Sequence, residues 1–259
     1  MRETGVPSVA ALRLSGASVL LGNAALLAGI VVSSVGGLGS EALPLAGAEG
    51  LQRLGRAAGL YTLREVLWLI YPVLILPEAI ALYSLLRGRA PALLWPLVFW
   101  CVGLALGIGV DAFTVALARD FGVSYLAAAP EARPALEAMA RTLSRAVFLA
   151  QLVCDTLSGT LVYPFFAAAA YRAGLVSRAL ALTVVVSSLL VFVLYRGMNL
   201  FFAGETTLGT VFGLGFYGLI WWDVNIALKL LRIRAGDLDR AGGYGKGSPA
   251  DVSSASASS

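Results

Sequence analysis

The chain has 259 residues, of which 59% belong to the apolar set and only 13% are charged. Soluble domains carry about 25% charged residues, so this composition excludes a water-soluble globular domain. The formal net charge is +4 and histidine is absent, which excludes histidine-ligated zinc, histidine-ligated haem and every Ser-His catalytic triad.

Six segments are apolar and long enough to cross about 30 Å of hydrocarbon as helices, at about 1.5 Å per residue. They cover residues 14 to 32, 63 to 86, 92 to 118, 145 to 171, 176 to 198 and 207 to 231. Lipid offers no partners to backbone N–H and C=O groups, so such runs form helices. We therefore predict an all-α fold, a polytopic transmembrane helix bundle of six spans over residues 1 to 234.

The first span also has some features of a secretory signal, because it is weakly hydrophobic and small residues around Ala46, Gly47 and Ala48 resemble a cleavage site. A secretory apolar region has about 7–15 residues, and this run is longer, so we expect it to be retained. Cleavage would leave five spans. The tail at residues 235 to 259 is dominated by Gly, Ser, Asp and Ala, which predicts a disordered segment.

Two shorter helices are predicted in the long loops. Leu51 and Leu54 lie three residues apart beside Arg53 and Arg56, as in a short helix on a membrane surface. Pro134 is typical of the first turn of a helix, and this helix is expected to continue into span four.

The arginines predict the orientation of the bundle. The short loops after spans two and four contain no acid and hold Arg87, Arg89, Arg172 and Arg178. Short basic loops remain in the cytoplasm. Both termini, and with them the tail, are therefore predicted to be cytoplasmic.

Small residues recur where helices would approach one another. Span one carries Ser15, Ser18, Gly22, Ala25 and Gly29, span three carries Gly103 and Gly107, and span six carries Gly209 and Gly213. Such stripes allow close packing of membrane helices. They either pack inside the bundle, which is the preferred interpretation, or join two copies of the chain.

Several polar residues lie inside the predicted spans, where an ionisable group costs at least about 2.5–3.5 kcal/mol and usually marks function. Gln151, Asp155 and Ser158 repeat at four and three residues, which gives span four one polar face. The candidate buried polar site comprises Glu78, Asp111, Gln151, Asp155, Asp223 and Asn225.

Cations occur only near the outer ends of the spans, at Arg64, Arg145 and Arg196. We expect these arginines to pair with Asp111 and Glu65. Glu78 and Asp223 have no cation at their own depth, and an unpaired acid in hydrocarbon favours its neutral form.

Two functions follow from these acids. Neutral carboxyl groups that hydrogen-bond one helix to another would suit a non-enzymatic accessory or structural membrane component, which is the preferred interpretation. The alternative is a proton- or cation-coupled small-molecule transporter that uses Glu78, Asp155 and Asp223. No catalytic or nucleotide-binding motif, metal site or basic patch for nucleic acid occurs, and no cofactor is predicted. The expected partners are the lipid bilayer and either other membrane proteins or a second copy of the chain.

Three stretches carry a family resemblance: residues 12 to 16 open the first span, 81 to 87 close the second, and 173 to 180 lead into the fifth. On these stretches the chain resembles bacterial six-span integral membrane proteins catalogued as domain of unknown function 4386. The resemblance implies a six-helix bundle in the bacterial cytoplasmic (inner) membrane. It implies no known activity and no catalytic residues.

Overall fold

The computed structural model describes residues 7 to 36, 47 to 195 and 214 to 235, without the side chains of residues 117, 118 and 195. The helices are α1 (Val9–Val35), α2 (Ala48–Arg56), α3 (Ala58–Leu86), α4 (Leu94–Ala127), α5 (Arg133–Asp155), α6 (Tyr163–Arg172), α7 (Arg178–Ser188) and α8 (Gly215–Arg232). A 3₁₀ turn at Pro91–Leu93 precedes α4, and π-helical segments follow α5 at Thr156–Thr160 and α7 at Leu189–Tyr195. None of the described residues forms a strand, so the prediction of an all-helical fold is confirmed.

Four helical stretches in the described part of the chain are long and apolar enough to span a membrane. They are α1, α3, Pro91–Ala127 and Arg133–Arg172, and they correspond to the first four predicted spans. The apolar stretch Arg178–Leu194 is shorter. The end of the fifth predicted span, the start of the sixth, and the predicted tail from residue 236 on lie outside the described residues, so the count of six stays a prediction.

The α4 helix extends nine residues beyond the predicted end of span three, into a stretch predicted to be a loop. The extension packs against α2, where Gly122 and Gly55 bring the two backbones into close contact. Tyr125, near its C-terminal end, is buried in the same cluster. These contacts stabilise a helix at residues where hydropathy alone predicts none.

The α2 helix exists as predicted, and its location on a membrane surface stays a prediction. Its leucines Leu51 and Leu54 are fully buried and pack with Tyr61, Tyr125 and Ala140. The prediction for Pro134 is confirmed, because α5 begins at Arg133 and continues into the fourth span.

Small residues let α1 pack closely on α3 and α8. A Cβ atom on Gly22 would lie 3.1 Å from Leu74 Cβ, and one on Gly16 would lie 2.7 Å from the Ala227 carbonyl oxygen. The Ser18 hydroxyl donates a hydrogen bond of 2.7 Å to the Leu74 carbonyl. The stripe on α1 therefore packs inside the bundle, whereas the predicted pair Gly209 and Gly213 lies outside the described residues.

Arginine side chains tie the helix ends together at one end of the bundle. Arg13 Nη2 donates to the Ile233 carbonyl at 3.2 Å, and Arg89 Nη1 donates to the Ala173 carbonyl at 3.4 Å. We call this the arginine end. It brings together the start of α1, the α3–α4 connection and the last turns of α6 and α8.

The packing of α1 on α8 gives a testable prediction. Gly16→Ala places a methyl group against backbone atoms, which yield less than a flexible side chain does. We expect a loss of about 1–3 kcal/mol of unfolding free energy, and a melting temperature lower by roughly 5 °C. Thermal unfolding followed by circular dichroism in mild detergent measures both.

The matched control is Gly109→Ala, because Gly109 is exposed on α4 and a Cβ there meets nothing within 4 Å. Alanine favours a helix interior over glycine by about 1 kcal/mol, so this variant should melt at or above the wild-type temperature. Equal melting temperatures for the two variants would contradict the tight α1–α8 contact.

Candidate functional site

A cavity of about 840 Å³ lies between the helices, and every described helix except α7 contributes to its wall, together with the two π-helical segments. Much of its wall is aromatic or aliphatic, with Trp68, Trp100 and Phe216 among the lining side chains. Its polar lining comprises Ser33, Ser34, Arg53, Glu65, Tyr71, Asp111, Thr114, Gln151, Asp155, Ser158, Tyr163 and Tyr217. Arg53 is the one cation among these residues, and it forms an ion pair of 2.9 Å with Glu49. The cavity therefore combines an apolar wall with a strip of polar groups that is rich in carboxyl oxygens.

The polar face predicted on span four lines this cavity. Gln151 Nε2 donates to Asp155 Oδ1 at 3.3 Å, one helical turn along, and the Ser158 hydroxyl donates to the Cys154 carbonyl at 2.7 Å. Because both bonds remain within one segment of chain, neither ties two helices together. Gly107, on α4, also lines the cavity, and a Cβ there would meet nothing within 4 Å.

The π-helical segments adjoin this polar face. Thr156–Thr160 starts directly after Asp155, and its Gly159 packs against the Phe192 ring of the second π-helical segment. The Ser188 hydroxyl donates to the Gly159 carbonyl at 3.1 Å. π-Helical turns are rare and occur frequently at functional sites. Their position supports the cavity as the functional site.

A buried ion pair lies at the wall of the cavity on α3. Arg64 is 0% exposed and donates to Glu65 Oε1 at 2.6 Å from Nη2 and 2.9 Å from Nε. Its guanidinium carbon lies 4.4 Å from the centre of the Tyr61 ring and 4.8 Å from that of Trp68. The rings compensate part of the desolvation of the guanidinium through cation–π contacts.

The other expected cations do not join this pair. Arg145 is exposed and forms no ion pair with any residue that the structure describes. Arg196 lies outside the described residues. Of the three outer arginines, the structure therefore shows an ion pair only for Arg64.

Glu78 and Asp223 form a second group, which we call the buried carboxyl pair. Glu78 is 1% exposed and Asp223 is 0% exposed, and the two side chains are close enough to interact electrostatically. The Tyr71 hydroxyl donates to Asp223 Oδ2 at 3.0 Å, and the Tyr163 hydroxyl donates to Oδ1 at 3.5 Å. Neither member of the pair lines the cavity.

The predicted acids therefore divide into two groups instead of converging on one site. Asp111 and Asp155 line the cavity, whereas Glu78 and Asp223 lie behind it. Asn225 joins neither group, because its amide donates to the Trp221 carbonyl at 2.8 Å on a more exposed part of α8.

Two residues connect the groups, and neither was predicted from the sequence. Tyr71 and Tyr163 line the cavity and also hydrogen-bond the buried carboxyl pair. For Tyr71 a signal existed, since it precedes Glu78 by seven residues and so shares its helix face. Asn23, a buried polar residue of α1 that lies beside Asp223, was missed as well.

Comparisons of the chain with known protein families, with curated proteins and with solved structures found no match. Within the described residues, no group of three or more Cys, Asp or Glu side chains is placed to hold a metal ion. The features of the molecule that bear on its function are therefore the cavity, the buried carboxyl pair and the hydroxyl groups between them.

Proposed function

We propose that the protein is a proton-coupled transporter of small amphipathic cations, a six-span protein of a bacterial cytoplasmic membrane with both termini in the cytoplasm. Four helices that could each span a membrane support this location. The orientation is inferred from the short arginine loops. The bacterial membrane is inferred from the resemblance to the six-span family, which stays a prediction.

The observation that carries the proposal is a cavity lined by acids between helices that suit a membrane. Its volume of about 840 Å³ lies within the range of about 300–1,000 Å³ that is usual for small-molecule sites. Acids inside a membrane protein cost free energy, and they usually line substrate or ion pathways. A transporter needs a cavity of this kind, whereas a purely structural helix bundle does not.

The chemistry of the lining favours a cation with an apolar body. Asp111 and Asp155 supply carboxyl oxygens, which attract positive charge and accept hydrogen bonds. Trp68 and Trp100 also line the cavity, and aromatic rings bind organic cations through cation–π contacts. An amphipathic monocation fits both surfaces.

Interhelical hydrogen bonding, which the sequence favoured as the role of the acids, explains the cavity less well. Asp223 does accept hydrogen bonds from Tyr71 and Tyr163, which lie on two other helices, but such bonds require no cavity. Asp155, by contrast, lines open space. The geometry therefore favours the transporter over the accessory or structural role.

The test is ethidium uptake by proteoliposomes that contain the purified full-length protein and enclose DNA, under an imposed pH gradient. We expect wild-type protein to accelerate uptake over protein-free liposomes and to move protons in the direction opposite to the dye. Asp155→Asn should slow uptake by about tenfold or more, because a hydrogen bond to a charged group contributes about 1.5–3 kcal/mol.

The matched control is Asp120→Asn, on the exposed surface of α4 and outside the cavity lining. It should transport at the wild-type rate. Wild-type uptake no faster than that of protein-free liposomes, under gradients of either direction, would contradict the proposal. Purification with a stoichiometric protein partner, together with that result, would support the accessory role.

A further inference from the structure

We propose that Glu78 and Asp223 form a proton-binding site separate from the cavity, and that this site exchanges its proton with the cavity through the Tyr71 hydroxyl. The site would be the coupling element of the transporter, and in that respect the inference rests on the proposed function. Whether the pair binds a proton is tested separately from transport, by infrared spectroscopy.

The surroundings of the buried carboxyl pair supply hydrogen-bond donors but no positive charge. The polar side chains facing it are Asn23 of α1, Tyr71 of α3, Tyr163 of α6 and Trp222 of α8. None of these described neighbours is a cation. Two carboxylates that share such a site cannot both be ionised, because they repel and burial removes their hydration. One proton is therefore the ligand that the pair needs.

Glu78 gives a second, independent indication of a missing ligand. Its Oε2 atom is buried and accepts no hydrogen bond from any residue in the described ranges. Asp223, by contrast, accepts hydrogen bonds from two hydroxyls. A proton on Glu78 Oε2 would remove the cost of an unsatisfied buried charge.

Tyr71 supplies the route between the pair and the cavity. Its hydroxyl lies 3.0 Å from Asp223 Oδ2, and the same side chain lines the cavity. A phenol is both a donor and an acceptor. It can receive a proton from solvent in the cavity while its own proton passes to Asp223, so one proton enters the pair and Tyr71 ends neutral. The Tyr163 hydroxyl, at 3.5 Å, forms the weaker contact.

Binding of a cation is coupled to binding of the proton because electrostatic interactions extend from the cavity to the buried carboxyl pair. A cation in the cavity next to Tyr71 stabilises the ionised form of the pair, and so favours release of its proton. Removal of the cation favours uptake of the proton. Cation and proton therefore exclude one another, as exchange transport requires.

The experiment is infrared difference spectroscopy of the full-length protein in lipid nanodiscs at neutral pH, after transfer from H₂O to D₂O. We expect a carboxylic-acid C=O band that Asp223→Asn and Glu78→Gln each alter or remove, and that shifts as deuterium enters. Tyr71→Phe should keep the band and slow its exchange by about a hundredfold, the usual effect of removing an acid–base group. Tyr83→Phe, on the same helix and outside the cavity lining, should exchange as wild type does.

Two results would overturn the inference: a band that neither acid variant changes, or exchange in Tyr71→Phe as fast as in wild type. Tyr71→Phe lacks only one oxygen, so a folded variant is expected, and its helical content is checked by circular dichroism. If ethidium uptake fails and the infrared result is as expected, the transport function is contradicted and the proton site is not. If ethidium uptake stays fully proton-coupled in Asp223→Asn, the role of the pair in coupling is contradicted and the transport function is not.

Discussion

Replacing Arg64 by methionine is expected to lower the free energy of unfolding by about 3–5 kcal/mol, the usual cost of breaking a buried ion pair from one side. Arg64 and Glu65 are 0% and 5% exposed, so removal of the guanidinium leaves a largely desolvated carboxylate without its cation. Equilibrium unfolding in mixed micelles, followed by circular dichroism, measures the loss.

The double variant Arg64→Met, Glu65→Gln separates the ion pair from packing. It removes both charges and keeps similar volumes, so most of the lost stability should return. The control is Glu49→Gln, which breaks the Arg53–Glu49 pair of 2.9 Å. Glu49 is 88% exposed, and exposed pairs contribute little. An Arg64→Met variant as stable as Glu49→Gln would contradict the structural role of the buried pair.

The Gly107→Leu substitution is expected to reduce ethidium uptake to the level of protein-free liposomes. A Cβ on Gly107 meets no atom within 4 Å because the position faces the cavity, so the leucine side chain occupies space that a ligand would need. The fold should tolerate the change, since leucine also favours a helix over glycine by roughly 1 kcal/mol. Uptake under the pH gradient and the melting temperature are measured on the same preparation.

Gly109→Leu is the matched control for this blockade. Gly109 lies two residues along α4 and is exposed, and a Cβ there would likewise meet no atom within 4 Å. It does not line the cavity, so this variant should transport like wild type. Equal uptake by the two leucine variants would show that the ligand does not pass through the cavity.

The helices themselves were largely predictable from the sequence. Apolar runs of sufficient length have one stable form in lipid, so hydropathy located α1, α3, α4 and the α5–α6 stretch. It failed where stability comes from packing, as at the C-terminal end of α4. There Gly122 and Tyr125 are held by α2, and no property of their own segment indicates that contact.

Individual residues of the candidate site could be predicted from the sequence, but their arrangement in space could not. Buried acids are conspicuous in an apolar sequence, so Asp111, Asp155 and Asp223 were found. Their division into two groups depends on how each helix is rotated and on which helices are neighbours. The hydrogen bond from Tyr71 to Asp223 joins residues 152 positions apart. Neither hydropathy nor local spacing predicts a contact between residues so far apart in the sequence.

The packing of α1 has a consequence for biosynthesis. α1 contacts α3 and also α8, and the bond between Arg13 and Ile233 spans 220 positions of the chain. When α1 leaves the ribosome it therefore lacks one of its two neighbours, and this lasts until α8 has been translated. Until then the Gly16 face of α1 has no α8 to pack against. Closure of the bundle is consequently a late event of membrane insertion. We expect it to be slow, because its contacts join residues that are far apart in sequence.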